Sequence, residues 1–284
     1  VRRPDFAIFK KQFFSSRIFP ISHRAMTKPL RVLHLTDLHL QADKSALMSG
    51  LNVQESFTAV LAAAAKEIPD PDLVIVTGDL SHDHEKADYL VTYTHLAKTL
   101  KDHYRKSVCI PGNHDDAELV KRIFPFYDIE TEGVIMLDYW QIILLDSSQK
   151  DNPAGWLADS ELALLDESLP EAEINDRDNY NLIAIHHPVI TLNSEWLDQQ
   201  MTGNAEQFFS VLARKKHIQG VLCGHAHQAY DSVVNNIKIM GTPATCPRQF
   251  APLAKDFSVD DIGPGFRSLT LHPTGEIETQ IHRL

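Results

Sequence analysis

Cysteine is scarce in this chain: 284 residues hold three, Cys109, Cys223 and Cys246, an odd number with no C-x-x-C pair. That argues against a disulfide framework and fits a reducing compartment, so a cytoplasmic location is expected. Each cysteine lies in or near an apolar stretch, as buried inert thiols do. Long apolar runs are missing too, and with none of about 18 residues no membrane-spanning helix is expected. Glycine (12) and proline (15) are too few for a collagen-like or low-complexity chain. Positive charge is short: 27 Lys and Arg face 38 Asp and Glu, a formal charge of -11. Such a chain repels polyphosphate, which argues against a nucleic-acid partner. A small anionic substrate still fits if a local cation supplies positive charge. No internal repeat or linker divides the sequence, and nothing in it sets an oligomeric state.

The N-terminus stands apart. Its first 25 residues carry Arg2, Arg3, Lys10, Lys11, Arg17 and Arg24 against one acid, Asp5, together with Phe6, Phe9, Phe13, Phe14 and Phe19. Residues 1–28 are expected to be a basic extension, either a disordered tail or sequence upstream of a true start at Met26. A surface amphipathic helix is the alternative. Lys10 and Lys11 interrupt the apolar core that a secretory signal needs. Residues 29–284 are the expected folded domain.

From Leu30 onward, short apolar runs alternate with helical patterns. Strands are expected at 31–36, 72–77, 107–110, 140–146, 181–185 and 221–223, with helices at 52–67, 85–103, 159–168 and 204–216. The C-terminal remainder is rich in β-branched residues and turns. The order implies an α/β fold with helices outside a largely buried sheet.

What the chain has in quantity is histidine, 15 residues, and several stand where strands end. Asp37-Leu38-His39 follows the first strand and Gly78-Asp79 the second. Gly112-Asn113-His114-Asp115 follows the third, His186-His187-Pro188 the run 181–185, and Gly224-His225-Ala226-His227 the run 221–223. Open α/β sheets bind ligands beyond the carboxyl ends of their strands, so five such ends can meet at one point. The glycines suit tight turns that bring backbone close to the site. Two carboxylates, an amide oxygen and several imidazoles form an oxygen and nitrogen set suited to Mn, Fe or Zn. Seven candidates exceed the needs of one ion; two ions sharing a carboxylate would use them all and could clamp an in-line phosphoryl displacement.

Singly, these motifs differ in weight. Asp-x-His and Gly-Asp also arise from ordinary caps and turns, whereas Gly-Asn-His-Asp answers few structural needs. Gly-His-x-His places both rings on one side of an extended chain. His82, Asp83 and His84 are read as loop residues near the mouth that at most touch a ligand from behind, His34 as a packed or hydrogen-bonded strand residue, and His187 as structural or touching substrate. His95, His103, His217, His272 and His282 stand alone.

Taken together, Asp37-x-His39, Gly78-Asp79, Gly112-Asn113-His114-Asp115, His186 and Gly224-His225-x-His227 resemble the calcineurin-like metallophosphoesterase superfamily. The resemblance implies a four-layer αββα sandwich of the α/β class and a dinuclear metal centre. Asp37, His39 and His227 would hold one ion, Asn113, His186 and His225 the other, and Asp79 would bridge. His114 would contact the phosphate and assist the leaving oxygen as the catalytic residue, with His39 and Asn113 also at the substrate. Outer segments, among them TDLHL, TGDLSHD, SEWLDQ, TPATC and the tail containing Pro264-Gly265-Phe266-Arg267, resemble bacterial class III 3′,5′-cyclic-AMP phosphodiesterases across residues 30–284. Hydrolysis of cyclic AMP to 5′-AMP with Fe or Mn, Zn being possible, is the implied activity. Another phosphodiester (a glycerophosphodiester or 2′,3′-cyclic nucleotide), a phosphomonoester, or a metal-binding scaffold without turnover are the rival readings.

Overall fold

The computed structural model of the chain describes residues 28–171 and 179–284; the basic extension, up to Thr27, lies outside the described residues. The first half contains β1 (Leu30–Leu35), a small hairpin of β2 (Leu47–Met48) and β3 (Leu51–Asn52), α1 (Val53–Glu67), β4 (Leu73–Thr77), α2 (Lys86–His103), β5 (Ser107–Ile110) and α3 (Ala117–Ile123). The second half continues with β6 (Gly133–Leu137), β7 (Trp140–Leu145), α4 (Asp159–Ser168), β8 (Tyr180–Ile185), α5 (Glu195–Asp198), α6 (Ala205–Leu212) and β9 (Ile218–Cys223). It closes with β10 (Tyr230–Val234), β11 (Ile237–Gly241), a hairpin of β12 (Gln249–Phe250) and β13 (Val259–Asp260), β14 (Gly265–Leu271) and β15 (Ile277–Arg283).

Local chemistry sets these boundaries. Asn52 starts α1 because its side-chain oxygen accepts the Glu55 N–H at 2.8 Å. Asp116 does the same for α3 through the Leu119 N–H at 3.0 Å. The helix expected over 204–216 stops at Leu212, because the chain turns and Lys215 bridges the backbone of Glu171 before entering β9. Neither α3 nor β6 was expected.

The strands form two principal sheets rather than one. The first has the order β15-β14-β1-β4-β5 and the second β10-β11-β9-β8-β7-β6. In the first, β1, β4 and β5 run parallel; in the second, β7, β8, β9 and β11 do. Alternation along each strand divides its side chains between two interiors. Val32, Leu73, Ile75 and Val108 pack between the sheets against Ile142, Leu144, Leu182, Ala184 and Leu222. Their neighbours Leu33, Leu35, Val74 and Val76 face Phe57 of α1, Tyr93 and Leu96 of α2 and Leu119 of α3. Ile143, Leu145, Ile183 and Ile185 face Leu165 of α4 and Phe208 of α6. The layers are therefore α, β, β, α, and apolar runs without alternation follow from strands covered on both sides.

One polar network lies between the sheets. His34 is fully buried, with Nε2 2.8 Å from Thr77 Oγ1 and Nδ1 2.7 Å from Thr242 Oγ1. Burial, and then the nearby Arg267 charge, pushes its pKa down to about 3. Arg267 is itself buried, pairs with Asp231 at 2.9 Å and donates to the Gly241 carbonyl at 2.8 Å. The three cysteines are buried and free. Among the described residues no helix is long and apolar enough to cross a membrane.

Candidate metal centre

The parallel strands of both sheets deliver their carboxyl ends to one rim. Asp37 and His39 follow β1, Asp79 follows β4, Asn113 and His114 follow β5, His186 follows β8, and His225 and His227 follow β9. Main-chain hydrogen bonds tie the loop tips together. Asp37 N–H donates to Gly78 C=O at 3.1 Å, His39 N–H to Asp79 C=O at 2.9 Å and Gly224 N–H to His186 C=O at 2.9 Å. The Asp37 carboxylate accepts the His225 N–H at 2.9 Å and the Thr36 hydroxyl at 2.8 Å. The Asp79 carboxylate accepts the His114 N–H at 2.9 Å.

These tips are bent tightly. Asp37, His39, Asp79, His225 and His227 all adopt left-handed backbones, with φ of 51°, 47°, 48°, 62° and 48°. Non-glycine residues enter that region at a cost of about 1–3 kcal/mol each, and such strain gathers at functional sites. Two glycines allow the loops to close in. A Cβ on Gly112 would lie 2.2 Å from Asp79 Oδ1, and one on Gly224 would lie 2.0 Å from Thr36 Oγ1.

The ring nitrogens are oriented from behind. His186 Nδ1 donates to the Thr77 carbonyl at 2.6 Å, which leaves Nε2 as a lone pair facing inward. His227 Nδ1 likewise donates to the Arg248 carbonyl at 2.7 Å. Inside, acceptors crowd together. His186 Nε2 lies 3.1 Å from Asn113 Oδ1 and 3.5 Å from Asp79 Oδ1. His225 Nδ1 lies 2.9 Å from Asn113 Oδ1, and its buried Nε2 has no partner. His39 Nε2 is 3.5 Å from Asp79 Oδ2 and 3.1 Å from His227 Nε2, which in turn is 3.4 Å from Asp37 Oδ1. Ligand atoms of Asp37, His39, Asp79 and His227 all lie within 4.8 Å of one another.

Carboxylate, amide and imidazole atoms converging this closely make an oxygen and nitrogen donor set, and the residues present fit a metal centre. Protonation divides the histidines. Burial opposes a charge on His227, yet the Asp37 carboxylate outweighs it and raises the imidazole pKa well above the usual range. Burial, reinforced by neighbouring histidines, holds His39 and His225 well below theirs, in the neutral form that ligates metals. Cys246 stands outside the set: its sulfur lies 3.9 Å from Nδ1 of His227, on the ring edge away from the acceptors.

Residues flanking these motifs take other tasks. Asp115 binds backbone, its carboxylate accepting N–H bonds from Gly112, Leu80 and Ser81 and the Tyr93 hydroxyl, which fixes the Asp79 loop against the Asn113 loop. His187 is satisfied by Ser147 Oγ at 2.7 Å and the Pro153 carbonyl at 3.2 Å, a structural position. His82 lines the cavity and touches a candidate ligand, with Nδ1 3.0 Å from Nδ1 of His39. His114 lies at the mouth, its ring 4.9 Å from that of His39 and 4.7 Å from that of His82. The cavity wall also includes Trp196, Gln200, Arg248, Phe250 and Phe257. None of these five was singled out as a site residue, because they come from separate short segments and no metal-ligating pattern marks them; only proximity in the fold identifies them.

A four-layer sandwich with a metal-competent cluster at its strand ends defines a metallophosphoesterase architecture. The family described as Calcineurin-like phosphoesterase matches residues 30–229, and the chain belongs to it. Among curated proteins, it is 36% identical over 256 residues to the 3′,5′-cyclic adenosine monophosphate phosphodiesterase CpdA of Escherichia coli (strain K12), covering 90% of each chain. It is 34% identical over 256 residues to the protein of the same name from Vibrio vulnificus (strain CMCP6), again covering 90% of each. Among solved structures, a dimetal phosphatase from Danio rerio shares the fold with a TM-score of 0.59 at 13% identity, over 87% of this chain and 94% of that one. Purple acid phosphatase PPD1 from yellow lupin does so with a TM-score of 0.59 at 11% identity, over 90% of this chain and 52% of that one.

Proposed function

We propose that residues 29–284 hydrolyse 3′,5′-cyclic AMP to 5′-AMP at a dinuclear metal centre. The observation that carries this reading is the packing of seven side chains with metal-competent oxygen or nitrogen atoms, from five strand ends, into one cluster. The curated relatives, similar over nine-tenths of the chain, supply the substrate.

Asp37, His39 and His227 would hold one ion and Asn113, His186 and His225 the other. Asp79 belongs between them, since its two oxygens face His39 and His186 at 3.5 Å each. Manganese or iron suits this set, zinc being accepted too, and such ions when bound supply Lewis acidity toward phosphoryl oxygens and activate water near neutral pH. His39 and Asn113, lining the cavity, meet the substrate along with His114. His114 is anchored through its main chain to Asp79, which leaves its ring at the mouth. As water adds to phosphorus and the bond to the 3′ oxygen breaks, that oxygen takes a proton, and the His114 ring is placed to give it.

The test is a set of initial rates on manganese-loaded protein with 3′,5′-cyclic AMP, 2′,3′-cyclic AMP, a glycerophosphodiester and p-nitrophenyl phosphate. The expected result is preference for the first, 5′-AMP as product, and loss on chelation that added metal restores. Preference for any of the other three would overturn the substrate assignment.

A further inference from the structure

The cavity has an aromatic side that the phosphate chemistry does not use. Trp196 on α5, Phe250 on β12 and Phe257, which precedes β13, meet edge to face. Their ring centroids lie 4.9 Å (Trp196–Phe250), 5.2 Å (Trp196–Phe257) and 5.5 Å (Phe250–Phe257) apart. Phe250 also lies flat against the His227 ring, with centroids 4.3 Å apart and planes 16° apart. The aromatic cluster therefore begins directly on a candidate metal ligand. Two of its features are unexplained by packing. Phe257 lines the cavity and leaves 58% of its surface exposed although two aromatic rings pack against it. The Trp196 Nε1–H is buried with no acceptor, although a buried indole N–H normally finds one.

We propose that Trp196, Phe250 and Phe257 form the subsite for the substrate's nucleobase. This rests on the reading of the chain as a cyclic-nucleotide phosphodiesterase. In such a substrate the base projects across the ribose from the phosphate, so a site for it must adjoin the metal centre without being part of it. A base is flat and uncharged, and its ring nitrogens accept hydrogen bonds in the plane. The exposed Phe257 ring offers a face for stacking, and the unpartnered Trp196 N–H becomes a donor to the base once the indole turns toward the cavity. A glycerophosphodiester has neither a ring nor an in-plane nitrogen and would leave both features unused. The subsite therefore selects heteroaromatic diesters by binding and leaves the chemical step to the strand-end residues.

The variants are Phe257→Ala, at an exposed position that folding tolerates, and Trp196→Phe, which keeps the ring and removes the N–H. Both are assayed as metal-loaded full-length protein on 3′,5′-cyclic AMP and on a ribose 3′,5′-cyclic phosphate that lacks the base. Base stacking on an aromatic ring is commonly lost about 5- to 100-fold on alanine substitution. A rise in KM of that order for cyclic AMP is expected in Phe257→Ala, and a smaller rise in Trp196→Phe, with kcat little changed. Rates on the base-free substrate should stay at the wild-type level. Unchanged KM for cyclic AMP, or equal losses on both substrates, would overturn the subsite. Calorimetric binding of 5′-AMP supplies a readout independent of turnover. If the wild type does not cleave cyclic AMP yet binds 5′-AMP more tightly than both variants do, the activity reading fails and the base subsite stands. If the wild type binds 5′-AMP no better than ribose 5-phosphate, the subsite fails whatever the activity.

Discussion

Gly112→Ala tests how closely the loops must approach. An added Cβ would meet Asp79 Oδ1 at 2.2 Å, the Asp79 backbone nitrogen at 2.4 Å and His186 Cε1 at 2.8 Å, whereas ordinary contact begins at 3.4 Å. Relief needs a separation of about 1.2 Å at the first contact, and the second is backbone, which no rotamer change can move. Nor can the loop retreat freely, because the Gly112 N–H donates to Asp115 at 2.8 Å and the His114 N–H to Asp79 at 2.9 Å. The displaced group is the Asp79 carboxylate, proposed to lie between the two ions. Overpacking of this kind costs about 1–3 kcal/mol of stability. A misplacement near 1 Å at a reacting centre costs about 100-fold in rate. The assay combines metal content after gel filtration, thermal melting with and without manganese, and turnover of cyclic AMP. Lower metal content and a lower melting temperature should accompany the lost rate. A variant that keeps two tightly bound ions and near wild-type turnover would refute the close approach of the two loops.

Other substitutions separate the roles of neighbouring residues. His114→Ala should lower turnover by about 10²- to 10⁴-fold while metal content stays unchanged, and a wild-type rate would remove His114 from the proton transfer. Asp79→Asn should lose metal and activity together, as read by elemental analysis; two tightly held ions would refute its bridging position. For His34, the folded pKa of about 3 lies below the ordinary 6.5, so the unfolded chain binds the extra proton between those values. The stability contributed by neutral His34 is therefore present above about pH 6.5 and lost progressively toward pH 3. His34→Gln should flatten the dependence of melting temperature on pH across the acid range, and an unchanged slope would show that His34 is not buried neutral.

Much of the chemistry was legible because it lies within a few residues of each strand end. Gly112-Asn113-His114-Asp115 and Gly224-His225-Ala226-His227 carry candidate ligands and turn glycines together, and the apolar run before each ends where these polar residues begin. The second sheet was not legible from patterning. In β8, Leu182 and Ala184 face the other sheet while Ile183 and Ile185 face helices, yet all four are simply apolar. A strand covered on both sides does not declare what covers it, so the layer count came from family resemblance alone. The aromatic wall was hidden for the opposite reason. Trp196, Phe250 and Phe257 come from α5, β12 and the approach to β13, and no local spacing links them. His82, read as a loop residue near the mouth that at most touches a ligand, lies beside His114 with its Nδ1 3.0 Å from Nδ1 of His39.

The centre straddles a seam. Asp37, His39, Asp79 and Asn113 hang from the first sheet, and His186, His225 and His227 from the second. Cations bound there would rivet the two sheets as a disulfide rivets two chain segments, joining positions as distant as Asp37 and His227. Stripping the metal should thus loosen the loop tips along the line where the two sheets meet as well as silence the chemistry. Protease susceptibility along that line becomes a gauge of occupancy that needs no substrate at all.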